Sequence, residues 1–478
     1  MLSLQEYSSY DGLGLAELVA TKQLKPSELI EAALQAVAKV NPQINAVLQT
    51  LPATARAATV GSGPFAGVPF LIKELVLHAE GVRCDMGCKL AQGFVAEQDT
   101  ELMARFRRAG LVLVGTTQTP ELGYNPTTET RLFGPVHNPW NLSRSAGGSS
   151  GGSGAAVASG IVPLAHANDG GGSIRIPASC NGLVGLKPTR DRIPTGPDYG
   201  DPLCGLAVEF AVTRSVRDTA ALLDAVAGPD PGAPGHPVPP MRSFLEETET
   251  PPGKLRIAWT TKPASGGKID PECVAAVEHT VRLLEELGHT TIEAAPAYDW
   301  EPFLANLHVI WTAFTAAMVD QLTIATGRKP NLDTLEAVTL ACYEDGKRFT
   351  AVDLINAMAH NNLLSRLTGI FFAKHDVLIT PTIARVPAPL GELNQDRKGM
   401  TAMEWTRQVF DYVPFTPLFN STGQPALSLP LHWSAEQLPV GVQFIGRFGD
   451  EATLLRLAAQ LESARPWANR RPPVHVGA

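Results

Sequence analysis

Residues Ala146 to Thr189 read AGGSSGGSGAAVASGIVPLAHANDGGGSIRIPASCNGLVGLKPT. Glycine and serine crowd this stretch, yet VASGIVPLA and GLVGLKP run through it as apolar segments, without charge runs. A flexible linker has no apolar residues to bury, whereas glycine beside small apolar residues marks close backbone packing or turns with positive φ. The stretch therefore reads as buried and shaped. It carries two serine-bearing clusters, Gly147-Gly148-Ser149-Ser150-Gly151-Gly152 and Asp169-Gly170-Gly171-Gly172-Ser173-Ile174-Arg175.

Outward from this centre, strand and helix patterns alternate. Upstream, GVPFLIKEL (Gly67 to Leu75) reads as a short buried strand opening toward a loop, and LVLVGTT (Leu111 to Thr117) as another, with a helix around Leu102 to Arg108 between them. Between about residues 10 and 50, apolar residues from Leu15 to Leu48 recur at helical spacing, which predicts two helices, with Ser27 as a cap and Asn41-Pro42 as a break. Downstream, proline and glycine dominate from Gly228 to Pro252, which predicts a surface loop over about 228–252. LRIAW, a helix from Pro271 to Leu287 and TTIEAA then form a strand, helix, strand unit. PALSLPL and PVGVQFIGR form two strands around a polar turn, followed by a helix from Glu451 to Ser463. The expected fold class is α/β, a large mixed β-sheet flanked by helices on both faces, with residues 1–478 as one domain.

The chain has 478 residues, of which 44% are hydrophobic, with 39 Lys and Arg against 47 Asp and Glu and a formal net charge of −8. That describes a soluble protein with ample core. A negative balance repels phosphate backbones and anionic lipid, so neither nucleic acid nor membrane is expected as a partner. The densest basic run, Arg105, Arg107 and Arg108, reads as a solvated helix face. The six cysteines are too dilute for a secreted disulfide framework, and no basic segment precedes an apolar one at the start, so a cytoplasmic location is expected. Cys84 and Cys88 lack a second half-site, and no metal is expected. The most membrane-like window, Leu307 to Val319, contains His308, stops at Asp320 and is too short to cross a bilayer.

Each serine cluster could be plain turn chemistry. In the second, however, three glycines before Ser173 leave backbone N–H groups unobstructed, as an oxyanion hole beside a nucleophile requires. Phosphate could use the same geometry, but neither GxxxxGK[ST] nor GxGxxG occurs. The first cluster matches GxSxG, a nucleophile elbow at Ser149, but an elbow should follow a buried apolar strand and NPWNLSRSA is polar. His166, within VPLAHA, reads as a satisfied core histidine. Lys73 ends the apolar run Val68 to Ile72, where lost solvation would lower its pKa toward that of a general base; the alternative is a strand-end lysine paired with Glu74.

Taken together, GVPFLIKEL and the Ala146 to Thr189 stretch closely resemble the amidase signature family. The resemblance extends through TRSVRDTAALLD, DVLITPT and PALSLPL with GVQFIG, and so covers nearly the whole chain. The interval of 24 residues from Ser149 to Ser173 is also the family's spacing between its two catalytic serines. The resemblance implies a Ser–Ser–Lys triad, with Ser173 as nucleophile, Ser149 as bridging serine after a cis peptide at Gly148, and Lys73 as base. It implies an oxyanion hole from the N–H groups of Gly170, Gly171, Gly172 and Ser173, with Asp169, Arg175 and Ser150 supporting the loop. Many relatives carry threonine or isoleucine where Gly170 stands, so local rigidity is expected to differ. The implied activity is hydrolysis of a small linear or cyclic carboxamide through an acyl-enzyme, without metal or organic cofactor. Within the family, DGGGSIRIPAS and NSTGQPALSLP resemble the branch of free-standing amidases that includes cyclic-dimer hydrolases. The alternatives are a glutaminase subunit of a glutamyl-tRNA amidotransferase, a carbamate or aryl-amide hydrolase, and, in another class, an inactive binding or assembly subunit. A homo-oligomer is compatible with all of them. In the apolar segment, Leu307, Ile310, Phe314 and Ala317 fit one helical stripe. Trp311 and Thr312 fall off it, and one of these two is expected to line the substrate pocket.

Overall fold

The structure is a computed structural model describing residues 2–478. Its centre is one mixed sheet of eleven strands. In chain order these are β1 (Val47–Thr50), β2 (Pro69–Lys73), β3 (Val112–Thr117), β4 (Leu164–Asp169), β5 (Val184–Lys187) and β6 (Val208–Thr213). They continue with β7 (Arg256–Trp259), β8 (Thr290–Glu293), β9 (Val377–Pro381), β10 (Ala426–Trp433) and β11 (Pro439–Gly446). Across the sheet they lie in the order β1-β3-β2-β4-β6-β5-β10-β11-β9-β7-β8. β2 is parallel to β3 and β4, and β7 is parallel to β8 and β9; the other pairs are antiparallel. Every residue of β2, β3, β4, β5, β6, β9 and β11 is buried, so helices and loops cover both faces, and β4 (LAHAND) and β6 (VEFAVT) carry buried polar residues among apolar ones.

The N-terminal helices are Gly12–Ala20 and Pro26–Ile44. Ser27 does not cap the second one. Pro26 takes the first helical position, where its missing N–H costs nothing, and Glu28 accepts from the Lys25 N–H at 3.0 Å. Pro42 is carried inside that helix, which ends at Asn45 in the left-handed region. The first of the two starts on a long-range cap: buried Asp218 accepts from the N–H groups of Gly12 and Leu13 at 2.6 and 2.9 Å. The helix Glu101–Arg108 differs from expectation at Arg105. That side chain is largely buried and donates to the carbonyls of Val226, Gly228 and Pro229, tying the helix to the following loop. That loop in turn holds a short helix, Phe244–Thr248, with Phe244 buried.

The apolar segment Leu307–Val319 belongs to a helix of 27 residues, Trp300–Thr326. By length and composition it is long and apolar enough to cross a membrane, so the expected length limit does not hold; instead, most of its apolar window is buried inside the protein. Its phase also differs from expectation. Ala317 is exposed, while His308, Trp311, Thr315, Met318 and Leu322 are buried. The helix packs in a cluster with Trp405, Phe410 and Ile176, whereas β2 and β4 belong to a second cluster with Phe70, Leu71 and Ala165. The functional centre lies between these two clusters.

Candidate active site

β2 ends at Lys73 and β4 at Asp169, and because the two run parallel both leave the sheet on the same side. Ligand sites of open α/β sheets form beyond such carboxyl ends. Here the loop after β4 carries Ser173, and the turn before the helix Gly151–Ala158 carries Ser149 and Ser150. The Gly148–Ser149 peptide is cis. Glycine is required at 148, since a Cβ there would stand 2.5 and 2.6 Å from the carbonyl oxygens of Thr127 and Asn125.

Lys73 is fully buried, with Nζ 2.7 Å from Ser149 Oγ, 3.1 Å from Ser150 Oγ and 2.5 Å from Asn168 Oδ1. A protonated amine can donate to all three; a neutral amine can donate to two and accept the Ser149 hydroxyl proton on its lone pair. Burial pulls the Lys73 pKa down to about 7, although Glu209 and Asp169 pull the other way. Both carboxylates are tied to other partners. Glu209 Oε2 lies 2.6 Å from His166 Nε2, and Asp169 receives two hydrogen bonds from Arg175 at 2.9 Å each. The Lys73 backbone N–H donates to His166 Nδ1 at 3.3 Å, which assigns the ring proton to Nε2, facing Glu209. His166 is thus a buried histidine engaged on both ring nitrogens. Glu74 does not pair with Lys73: it accepts from the N–H groups of Asp85 and Gly87, and burial next to Asp85 pushes its pKa up to about 8.

Asp169 organises the loop that carries Ser173. Its carboxylate accepts from Gly172 N–H at 2.6 Å and Ile174 N–H at 3.2 Å. Burial would raise its pKa, but Arg175 and Asn420 outweigh that and hold it at about 2. Arg175 extends the network to Gln443 Oε1 and Asn420 Oδ1, both at 2.6 Å, and to the Thr416 carbonyl at 3.0 Å. Gly172 has φ 139°, and a Cβ there would stand 2.7 Å from both Ile176 Cδ1 and Thr416 Oγ1. Among the described residues, the N–H groups of Gly170, Gly171 and Ser173 have no acceptor. The Gly172 N–H, expected to join them, is turned onto Asp169 instead.

Ser173 opens on a small cavity whose walls include Gly171, Tyr124, Trp311, Phe410 and Val413. Trp311 stacks on Tyr124 with ring centroids 4.4 Å apart and planes 11° from parallel. Tyr124 is fixed by its hydroxyl at 2.7 Å from Thr406 Oγ1 and by Trp405 Nε1, which donates to its carbonyl at 3.0 Å. A Cβ at Gly170 would lie 2.9 Å from Leu203 and 3.3 Å from Trp311, so the missing side chain lets both close on the loop. Thr312 is not in this wall. Its hydroxyl bonds back to the His308 carbonyl at 2.7 Å, and its backbone meets Gly346 on the helix Ala337–Gly346.

Asn168, Glu209, Tyr124 and Phe410 were not read from the sequence as site residues. Asn168 reaches Lys73 Nζ only through the way β4 ends beside β2, which residue type and spacing did not show. Among the described residues no group of three or more His, Cys, Asp or Glu is placed to hold a metal, and all six cysteines are free.

The sequence profile of the family described as Amidase matches residues 28–455. The chain belongs to the amidase family. Members of this amidase family are hydrolases of amide bonds, and this chain is one of them. It is 41% identical over 481 residues to the 6-aminohexanoate-cyclic-dimer hydrolase of Paenarthrobacter ureafaciens, covering 97% of this chain and 96% of that protein. It is 40% identical to the enzyme of the same name from Pseudomonas sp. (strain NK87), with the same coverage. Among solved structures, 6-aminohexanoate cyclic dimer hydrolase complexed with substrate matches with a TM-score of 0.93 and 38% identity, over 98% of this chain and 99% of that one.

Proposed function

We propose that this amidase hydrolyses the carbon–nitrogen bond of a small linear or cyclic carboxamide through an acyl-enzyme on Ser173. The observation that carries the reading is the buried Lys73 Nζ at 2.7 Å from Ser149 Oγ, with its pKa drawn down to about 7. A neutral amine in this position takes the Ser149 proton as Ser149 takes that of Ser173, and Ser173 Oγ adds to the amide carbon. The resulting oxyanion is received by the N–H groups of Gly170, Gly171 and Ser173, which have no other acceptor among the described residues. The proton then returns from Lys73 through Ser149 to the leaving nitrogen, the C–N bond breaks, and water releases the acid by the same relay. Ser150 and Asn168 hold Lys73 in register, while Asp169 and Arg175 brace the loop. Trp311 shapes the pocket beside Ser173.

The similarity to cyclic-dimer hydrolases supports uncharged cyclic and linear amides as the substrate class. Six free cysteines support a reducing, cytoplasmic setting. Turnover of small amides, anilides, carbamates and cyclic lactam dimers by the wild-type chain and by Ser173→Ala tests the reading. Amides and lactam dimers should be cleaved by the wild type alone; equal rates in both proteins would refute it.

A further inference from the structure

A cavity of about 400 Å³, within the size range of small-molecule sites, lies next to the catalytic centre. Its wall begins at Leu75, two residues beyond Lys73. The Leu75 carbonyl accepts from Asn168 Nδ2 at 2.9 Å, so its backbone is fixed by the same asparagine that holds Lys73. Its Cδ2 lies 2.5 Å from where a Cβ on Gly123 would stand, and that point is 3.5 Å from Ser149 Oγ. One face of the Trp300–Thr326 helix continues from one space into the other. Trp311 lines the Ser173 cavity, Phe314 meets the Tyr199 ring at 6.4 Å, and Met318, Leu322 and Ala325 line the larger cavity.

The charges in this wall have one sign. Glu97 and Asp198 line it together with His78, which lies 3.2 Å from Asp198, and no lysine or arginine takes part. A carboxylate brought here would lose solvation beside two like charges, whereas an aliphatic chain or an ammonium would not meet that repulsion.

We propose that this cavity is a subsite for the arm carried by the leaving amine: an extended aliphatic or aromatic group, uncharged or ending in an ammonium, with carboxylate-ended arms rejected. The assignment to the amine side rests on the acyl-transfer reading given above. The leaving nitrogen must face Ser149 to receive its proton, and Ser149 borders Gly123 and Leu75, where the cavity begins. The acyl group then occupies the Ser173 side, against Trp311 and Phe410.

The test is a series of hexanoic acid amides bearing N-methyl, N-butyl, N-hexyl, N-(6-aminohexyl) and N-(5-carboxypentyl) groups. kcat/KM should climb about threefold per methylene up to the hexyl amide. The aminohexyl amide should stay near the hexyl amide, and the carboxypentyl amide should fall about tenfold or more below it. Ala325→Trp, at an exposed helix position on the rim, should cut the hexyl-to-methyl ratio about tenfold, and Glu97→Lys, also exposed, should bring the carboxypentyl amide back toward the hexyl amide. Rates that are flat across the amine series, or wild-type ratios in both variants, would overturn the subsite. No turnover of any member by the wild type would instead overturn the hydrolytic reading, and the subsite with it.

Discussion

Lys73 Nζ lies 2.7 Å from Ser149 Oγ and forms no ion pair among the described residues, although two buried carboxylates stand close enough to influence it. Glu209 is held by His166 and Asp169 by Arg175, so neither closes on the amine. A lysine buried this way gives up its proton near neutrality, which a relay through hydroxyl groups requires.

Activity should therefore rise with pH through about 7. The base works when deprotonated, so the limb is lost as pH falls below the Lys73 pKa. Glu209→Gln removes a charge that favours the ammonium form, and the limb should move toward lower pH. The pH dependence of kcat/KM for both proteins checks this; a limb that moves upward in the variant would contradict it.

Replacing Lys73 by methionine should lower kcat/KM by about 10²–10⁴-fold, the usual loss of a proton-transfer group, with folding retained because the site is already enclosed. His166→Gln should remain measurably active, since its ring hydrogen-bonds the Lys73 backbone and Glu209 and packs edge-on against Phe106, without a bond to Lys73 Nζ, Ser149 or Ser173. Inactivity of a folded His166→Gln equal to that of Lys73→Met would bring the imidazole into the relay.

Arg175→Ala leaves the Asp169 carboxylate buried without its strongest partner. Losing one member of such a pair costs about 3–5 kcal/mol, so the thermal midpoint should drop sharply and the Ser173 loop should lose function with it. The Asp169 carboxyl, held at about 2 in the fold, also contributes stability that is present above its ordinary pKa and lost as pH falls toward 2. In Asp169→Asn that part of the acid sensitivity should be absent in pH-dependent melting curves.

Trp311→Ala should change the relative rates among amides of different acyl size, because the indole lines the same cavity as Ser173 and stacks on Tyr124. Unchanged relative rates combined with a large fall in melting temperature would assign Trp311 to the core alone.

Residue types alone left this site open: the apolar run ending in Lys73 also reads as a strand-end lysine and each Gly/Ser cluster as a turn, and it is the resemblance to the amidase signature family that groups Lys73, Ser149 and Ser173. What escaped depended on long-range partners. Glu209 becomes relevant only because β6 lies against β4, which brings it to His166. The Gly172 N–H looked free until the Asp169 carboxylate folded back onto it. Helix phase was misread around Leu307–Val319 because the helix is buried over much of its circumference, so a single apolar stripe does not define its inner face. Pro42 lies three residues before the Asn45 cap, so the N–H it lacks removes one bond, to the Ala38 carbonyl, and any kink it introduces displaces only the last turn.

The central claim is that Ser173 is the atom-donating nucleophile, with Ser149 passing the proton. Incubation with a fluorophosphonate, followed by proteolysis and mass spectrometry, tests it most directly. The account predicts a single phosphonyl adduct on Ser173, absent in Ser173→Ala and strongly slowed in Lys73→Met. An adduct on Ser149 or Ser150, with Ser173 unmodified, would contradict it.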